Sequence, residues 1–392
     1  MNSTQTRHTV PVQKADKTLI GTGIDKTLAH VLDSTFVFNA KQDGKVIHYD
    51  DKTKIMVLQY KDGSKDAIDL RDKLDKNGGG GFYITNAKET KLKVGSTFKK
   101  GDILAYNKNY FSDNEGNPDY TVGTLAKVAV YSGYYIYEDS ILVSETLTEK
   151  MASDVTMEKH LVLGPNTNII SCLDPGSPVR VGEGVITIED SYDEKEANIL
   201  LSKIGDKYKQ DVLEQGRNTV YSKYTGFIAD IEIYYTCEFE ELSPSLQKLV
   251  KRINKVHEER AKVLKQHFDS TADLSIDMKP TGKVEPSSNG KIKGVEVGDG
   301  VLIRIFTTYR DYLGVGDKLS FYSALKGIIQ QVVPEDMSSY SEMYPNEPIE
   351  AVLAPGSIQA RMTGSAMLNL FSNKVLIELK RDLKEMYGMK RY

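Results

Sequence analysis

The stretch Gly314 to Gly327, GVGDKLSFYSALKG, constrains this chain more tightly than any other. A strand-like run, Val301 to Arg310 (VLIRIFTTYR), enters it, and an apolar strand follows Lys326-Gly327. Between them Lys318 and Lys326 stand eight positions apart, with Gly316 before the first and Gly327 after the second. An ammonium group is a compact, mobile point charge, suited to holding a phosphate without demanding one orientation. Two of them at one site can hold a polyphosphate or successive phosphates of a strand. At about 4 Å and an effective dielectric near 20, each such contact amounts to roughly 4 kcal/mol before desolvation. On spacing alone, two solvated surface lysines are the simpler reading, so the surrounding sequence has to decide.

Composition sets wide bounds. A chain of 392 residues, 40% of them hydrophobic, can bury one large core or two to three smaller ones. With 51 Lys+Arg against 55 Asp+Glu, the net charge is −4. This does not point to a uniformly basic nucleic-acid binder, yet a local basic lining would not show in the total. Cys172 and Cys237 share no metal-ligand spacing, which suggests a reducing compartment and no disulfide framework. No apolar run has the length of a membrane span, and the polar start MNSTQTRHT is not a signal peptide.

Along the chain, Gly21-x-Gly23 lacks the third glycine and following helix of a dinucleotide fingerprint. Asp43-Gly44, between β-branched and aromatic residues of Phe36 to Leu58, predicts a hairpin turn. Lys61 to Asn77 is charged and loop-like, and Gly78 to Gly81 reads as a linker. Lys99-Lys100-Gly101-Asp102 turns into a short buried strand. In TLAKVAVYSGYYIYEDSILVSETL, Glu138-Asp139-Ser140 interrupts an apolar strand pattern. Such a pair is either a strand end facing water or a source of one inward carboxylate, since adjacent strand residues face opposite ways. Arg217 to Val220 and Thr225 to Ile231 read as a hairpin limb. A helix follows, with Ser243 as N-cap and Pro244 in its first turn; Leu246, Leu249, Val250, Ile253, Val256 and Leu264 form one stripe. Its basic opposite face reads as solvated. PTGKVEPSSNGKIKG is a hinge, and an amphipathic helix with Leu368, Phe371, Val375, Leu379, Leu383 and Met386 closes the chain.

Several islands in one order resemble the β subunit of multisubunit DNA-dependent RNA polymerases. They are T-R-H-T-V-P with K-A-D-K-x-L-I-G-T-G, then GDILA, then G-Y-x-x-x-E-D-S-I-L-V-S-E. GDK, the two lysines at their spacing, KG with its apolar strand, P-E-D-M and Ala360-Arg361-Met362 complete the series. The resemblance covers nearly the whole chain and is weaker between Lys150 and Gly298, which is similar to the family's wall and flap. It implies an α+β, β-rich fold: a double-psi β-barrel discontinuous in sequence, with an inserted wall/flap-like module and a C-terminal amphipathic helix. The expected divisions are 1–155 for the first part of the barrel, 156–294 for the insertion, and 295–392 for the rest.

The resemblance also implies roles. Lys318 and Lys326 would face the RNA 3′ end, and Arg361 the triphosphate of the incoming nucleotide, which suits a planar fork of donors. Glu138 and Asp139 would sit near that triphosphate and the second magnesium, shaping its charge or positioning its water. Arg7 and His8 would lie beside the RNA–DNA hybrid, although the family generally has glutamine where His8 stands. The resemblance implies catalytic magnesium held by clustered aspartates that the family carries on its β′ subunit, and this sequence contains no Asp-x-Asp-x-Asp run. The primary ligands are therefore expected on a β′-like partner. Tyr322-Ser323-Ala324-Leu325 replaces the Arg-His-Gly-Asn that generally precedes the second lysine.

The match begins at Met1 and stops soon after Arg361, so the chain resembles one piece of the split β subunits of giant tailed phages. Expected partners are other β and β′-like fragments, template DNA, nascent RNA and nucleoside triphosphates, without a membrane. The expected location is the infected host cytoplasm or the virion. A non-enzymatic transcription regulator with a polymerase-like barrel is the alternative, and a self-sufficient polymerase a third reading that the missing aspartate cluster disfavours.

Overall fold

The computed structural model describes residues 9–76, 81–114, 116–189, 217–270, 281–285, 287, 290–298, 300–321 and 325–388. Arg7, His8, Gly78 to Gly80 and Tyr322 to Ala324 lie outside the described residues. The architecture is α+β and β-rich, with short strands distributed over several sheets and few helices.

The N-terminal third builds a four-stranded sheet, in the order Lys65–Asp69, Ile55–Tyr60, Gly44–Asp50, Thr97–Phe98. Asp43-Gly44 does not turn a hairpin here: Val37–Asn39 pairs with Ile103–Asn107, while Gly44–Asp50 pairs with Ile55–Tyr60. The glycine is needed for space, because a Cβ on Gly44 would stand 2.4 Å from the Gln59 carbonyl oxygen and 2.9 Å from the Phe98 ring. Nor is Lys61 to Asn77 a loop; it contributes Lys65–Asp69 and Lys73–Lys76 as strands. Its charges hid the pattern, since Ala67 and Ile68 are buried between them.

The largest sheet has seven strands. Gly226–Tyr235, Val301–Asp311 and Ser153–Leu163 are its long antiparallel strands, the last two paired along their full length from Ser153↔Asp311 to Leu163↔Val301. The expected boundary at 155/156 thus falls within a strand. Arg217–Tyr221 pairs with Gly184–Glu189 in a separate three-stranded sheet, so it does not form a hairpin with Gly226–Tyr235.

Helix α1 (Pro244–His267) begins as its sequence dictates, with the Ser243 hydroxyl accepting the Leu246 N–H at 3.2 Å and Pro244 in the first turn. Leu246, Leu249, Val250 and Ile253 pack on Ile228, Ile231, Ile233, Ile303 and Ile305 of the large sheet. The far end crosses to the four-stranded sheet, where Leu264 meets Ile55, Val57 and Ala67. Val256, within the expected stripe, is 51% exposed; it lies between the two contacts. At the second contact the Arg260 guanidinium pairs with the Asp69 carboxylate at 3.0 Å, the two side chains 1% and 2% exposed. Arg260 also donates to the Thr53 carbonyl, and Arg71 reaches Asp69 at 3.3 Å. Burial alone would raise the Asp69 pKa, but Arg71 and Arg260 outweigh it and hold the carboxyl below its ordinary value.

Candidate active site

A five-stranded sheet gathers segments from two distant parts of the chain. Its strands are β1 (Val128–Val130), β2 (Ser140–Ser144), β3 (Lys318–Phe321), β4 (Leu325–Val333) and β5 (Ala351–Leu353), in the spatial order β1-β5-β2-β4-β3. β1 runs parallel to β5 and β2 parallel to β4, whereas β2–β5 and β3–β4 are antiparallel. Ile141, Val143, Leu319, Ile329, Ala351 and Leu353 pack with Leu147 on one face. These directions bring the end of β1, the start of β2, the turn between β3 and β4, and the end of β5 to one edge of the sheet.

Both lysines are strand residues with their side chains on the face away from that core. Burial alternates along β3 and β4, leaving Lys318, Ser320, Lys326, Ile328 and Gln330 exposed. Lys318 pairs with Ile328 and Ser320 with Lys326. The two lysines are therefore diagonal cross-strand neighbours, about 7–8 Å apart at the backbone. Two like charges this close, without an acidic residue between them on the ladder, form a local cationic face on a chain of net negative charge.

Residues 131–139 link β1 to β2 across the sheet end, and β5 leads through Ala354 into the short helix α2 (Pro355–Ala360). This places Glu138 and Asp139 beside Arg361. The Arg361 Nη2 meets Asp139 Oδ2 at 2.8 Å and Nε meets Oδ1 at 3.3 Å, a bidentate pair. Nη2 also donates to the Lys326 carbonyl at 3.2 Å. That carbonyl lies just beyond the start of the β2–β4 ladder, so the arginine satisfies a backbone acceptor that no strand reaches. The Asp139 carbonyl accepts the Ile328 N–H at 2.8 Å.

Two residues whose part in this geometry sequence reasoning missed hold it in place. A Cβ on Gly327 would stand 2.4 Å from the Asp139 carbonyl oxygen and 2.6 Å from Ile141 Cδ1, so only glycine lets the two strands approach. A lone glycine inside a strand pattern, directly after a lysine, was the available signal. Ser357, 5% exposed, donates its hydroxyl to the Glu138 carbonyl; nothing local in the sequence marks it. Glu138 (φ 47°) and Met362 (φ 51°), the chain neighbours of the paired residues, are both left-handed, as is Tyr135 (φ 65°). Such strained non-glycine backbone persists only where the surroundings fix it. Tyr134, Tyr135 and Tyr137 project from the linking loop, 93%, 73% and 77% exposed.

Glu138, Asp139, Lys318, Lys326 and Arg361 are thus brought to one sheet, whereas Arg7 and His8 lie outside the described residues. Magnesium favours oxygen donors in a near-octahedral set. Asp139 is committed to Arg361, leaving Glu138 as the one uncommitted carboxylate of the pair, so the chain's own residues here do not compose a primary ligand set. Among the described residues, no group of three or more His, Cys, Asp or Glu is placed to hold a metal ion. No described helix is long and apolar enough to cross a membrane.

No family model matches the chain. It is 22% identical over 475 residues to the DNA-directed RNA polymerase subunit beta of Orientia tsutsugamushi, covering 98% of this chain and 34% of that protein. To the subunit beta of Thermus aquaticus it is 26% identical over 379 residues, 92% of this chain and 29% of the relative. To that of Mesomycoplasma hyopneumoniae it is 24% identical over 384 residues, 97% and 28% respectively. The chain spans about a third of the length of the relatives it matches. Over nearly all its residues, including the sheet that carries both lysines and Arg361, this protein is similar to the beta subunits of DNA-directed RNA polymerases.

Proposed function

We propose that the chain is a β-like portion of a DNA-directed RNA polymerase, lining the active centre of a multisubunit nucleotidyltransferase. The observation that carries this reading is the convergence of Lys318, Lys326, Asp139 and Arg361 on one sheet, from segments far apart in a sequence similar to β subunits. In it Lys318 and Lys326 hold the RNA 3′ end, and Arg361 takes the triphosphate of the incoming nucleotide. Glu138 and Asp139 shape the charge around that triphosphate. Magnesium would be held mainly by a β′-like partner and would supply Lewis-acid stabilisation of the charge that develops in nucleotidyl transfer. The two parallel pairs, β1 with β5 and β2 with β4, support the double-psi barrel as the underlying fold.

Helix α3 (Gly364–Tyr387) supports assembly with further chains. Leu368, Phe371, Val375, Leu379, Leu383 and Met386 are 44–71% exposed along it, an apolar stripe that a lone chain leaves in water. The proposed covering is another fragment of the same polymerase, in a split β arrangement of phage type acting in an infected cell or packaged in the virion.

Affinity purification of the tagged chain from its native cell or particle tests the reading. It should recover a partner carrying an aspartate cluster and a complex that extends RNA, while the isolated chain extends none. Metal-dependent RNA synthesis by the isolated chain would overturn the subunit assignment.

A further inference from the structure

We propose that Asp139 serves the site by positioning Arg361, not by its own contact with metal or substrate. The inference rests on the reading above, that Arg361 grips the triphosphate. Three observations carry it. The pair is bidentate, yet its side chains are 37% and 53% exposed, so it is not a buried pair needed to neutralise charge in the core. Its described bonds use Nε and Nη2, directed at Asp139 and the Lys326 carbonyl. That leaves the Nη1 edge for a phosphate oxygen, since a guanidinium has five N–H donors in a fixed fork. Finally, the backbone on both sides is locked. Ile328 N–H and the absent Gly327 side chain seat the Asp139 carbonyl, Ser357 holds the Glu138 carbonyl, and Glu138 and Met362 adopt strained left-handed conformations.

Arginine has a long side chain with many rotamers, and fixing it in advance removes much of the entropy cost of binding. Asp139 does this while tying Arg361 to the strand that bears Lys326, so the triphosphate-binding and 3′-end-binding cations keep one mutual spacing. Glu138, the neighbouring carboxylate, makes no described side-chain bond in this arrangement and is the better placed of the two to reach outward.

A double-mutant cycle in the assembled polymerase tests this, reading single-nucleotide addition across nucleotide and magnesium concentrations. Asp139→Asn should raise the apparent KM for nucleotides about tenfold, as loss of an orienting partner commonly does, with little change in kcat. Arg361→Ala should raise it further, and the double variant should be no worse than Arg361→Ala alone. Asp139→Glu should restore part of the loss, and the magnesium requirement should not move. Multiplicative effects of the two substitutions, or a shifted magnesium requirement with unchanged KM in Asp139→Asn, would overturn the positioning role. Lys318→Ala, run alongside, separates the two levels. If it is impaired while Asp139 and Arg361 act independently, only this inference fails. If Lys318→Ala and Arg361→Ala both behave as wild type, the active-centre reading fails and this inference with it.

Discussion

Two of the aspartate–arginine pairs at long sequence separation, Asp69–Arg260 and Asp139–Arg361, make opposite use of the same chemistry. The first is nearly sealed, 1% and 2% exposed, and ties helix α1 to the four-stranded sheet. The second is open to solvent at a sheet end, beside two exposed lysines. A buried pair has exchanged hydration for each other, so removing one partner strands the other; an exposed pair keeps its water and contributes little to folding. Function that must admit a charged substrate belongs with the second kind.

The largest effect should come from breaking the sealed pair. Arg260→Ala or Asp69→Ala should cost about 3–5 kcal/mol in chemical denaturation and release the end of α1 near Leu264. Arg361→Ala should stay within about ±0.5 kcal/mol in the same assay. A matching loss at Arg361 would erase the contrast. Next, Lys318→Ala and Lys326→Ala should leave stability and assembly near normal but slow nucleotide addition by about two to three decades.

Gly327→Ala sharpens the comparison from the backbone side. The added carbon meets a carbonyl and a packed isoleucine, neither free to move, so a loss of about 1–3 kcal/mol is expected from overpacking. Nucleotide addition should fall as the Asp139–Arg361 geometry shifts. Calorimetry with an activity assay on the same preparation checks both.

A further effect, confined to a pH window, concerns Asp230 in the large sheet. Burial pushes its carboxyl up to about 6, with Glu232 adding to the shift and the Ile231 N–H opposing it. Because the folded pKa lies above the unfolded one, the native state binds more protons between about pH 4 and 6. Stability therefore falls as pH rises through that window and stays reduced above it. Asp230→Asn should flatten this slope and add up to about 3 kcal/mol at pH 7, at 1.36 kcal/mol per pKa unit. An unchanged pH profile would contradict it.

Local signals in the sequence carried some elements well and others not at all. Ser243-Pro244 and the spacing from Leu246 to Leu264 describe helix α1 closely, because capping and periodicity are written within the helix itself. Asp43-Gly44 misled, since the glycine answers a crowded neighbour, Phe98, more than fifty residues away. Lys65–Asp69 was hidden for a related reason: the cations that make Asp69 tolerable in a buried strand are Arg71 and Arg260, the second of them remote in sequence. At the candidate site the lysines, the acidic pair and Arg361 were legible as islands, but their mutual contacts were not. The Asp139–Arg361 pair and the Ser357 bond depend on β5 entering between β1 and β2, a topology no local pattern encodes.

The central claim is that the exposed face of β3 and β4, with Arg361 at its end, works on nucleic acid and nucleotide. Single-nucleotide addition by the assembled polymerase, measured across nucleotide concentrations for Lys318→Ala, Lys326→Ala and Arg361→Ala, tests it most directly. The lysine variants should lose rate even at saturating nucleotide, while Arg361→Ala should chiefly raise the apparent KM. Assembly with extension at wild-type rates and KM in all three would show these residues to be ordinary surface charges.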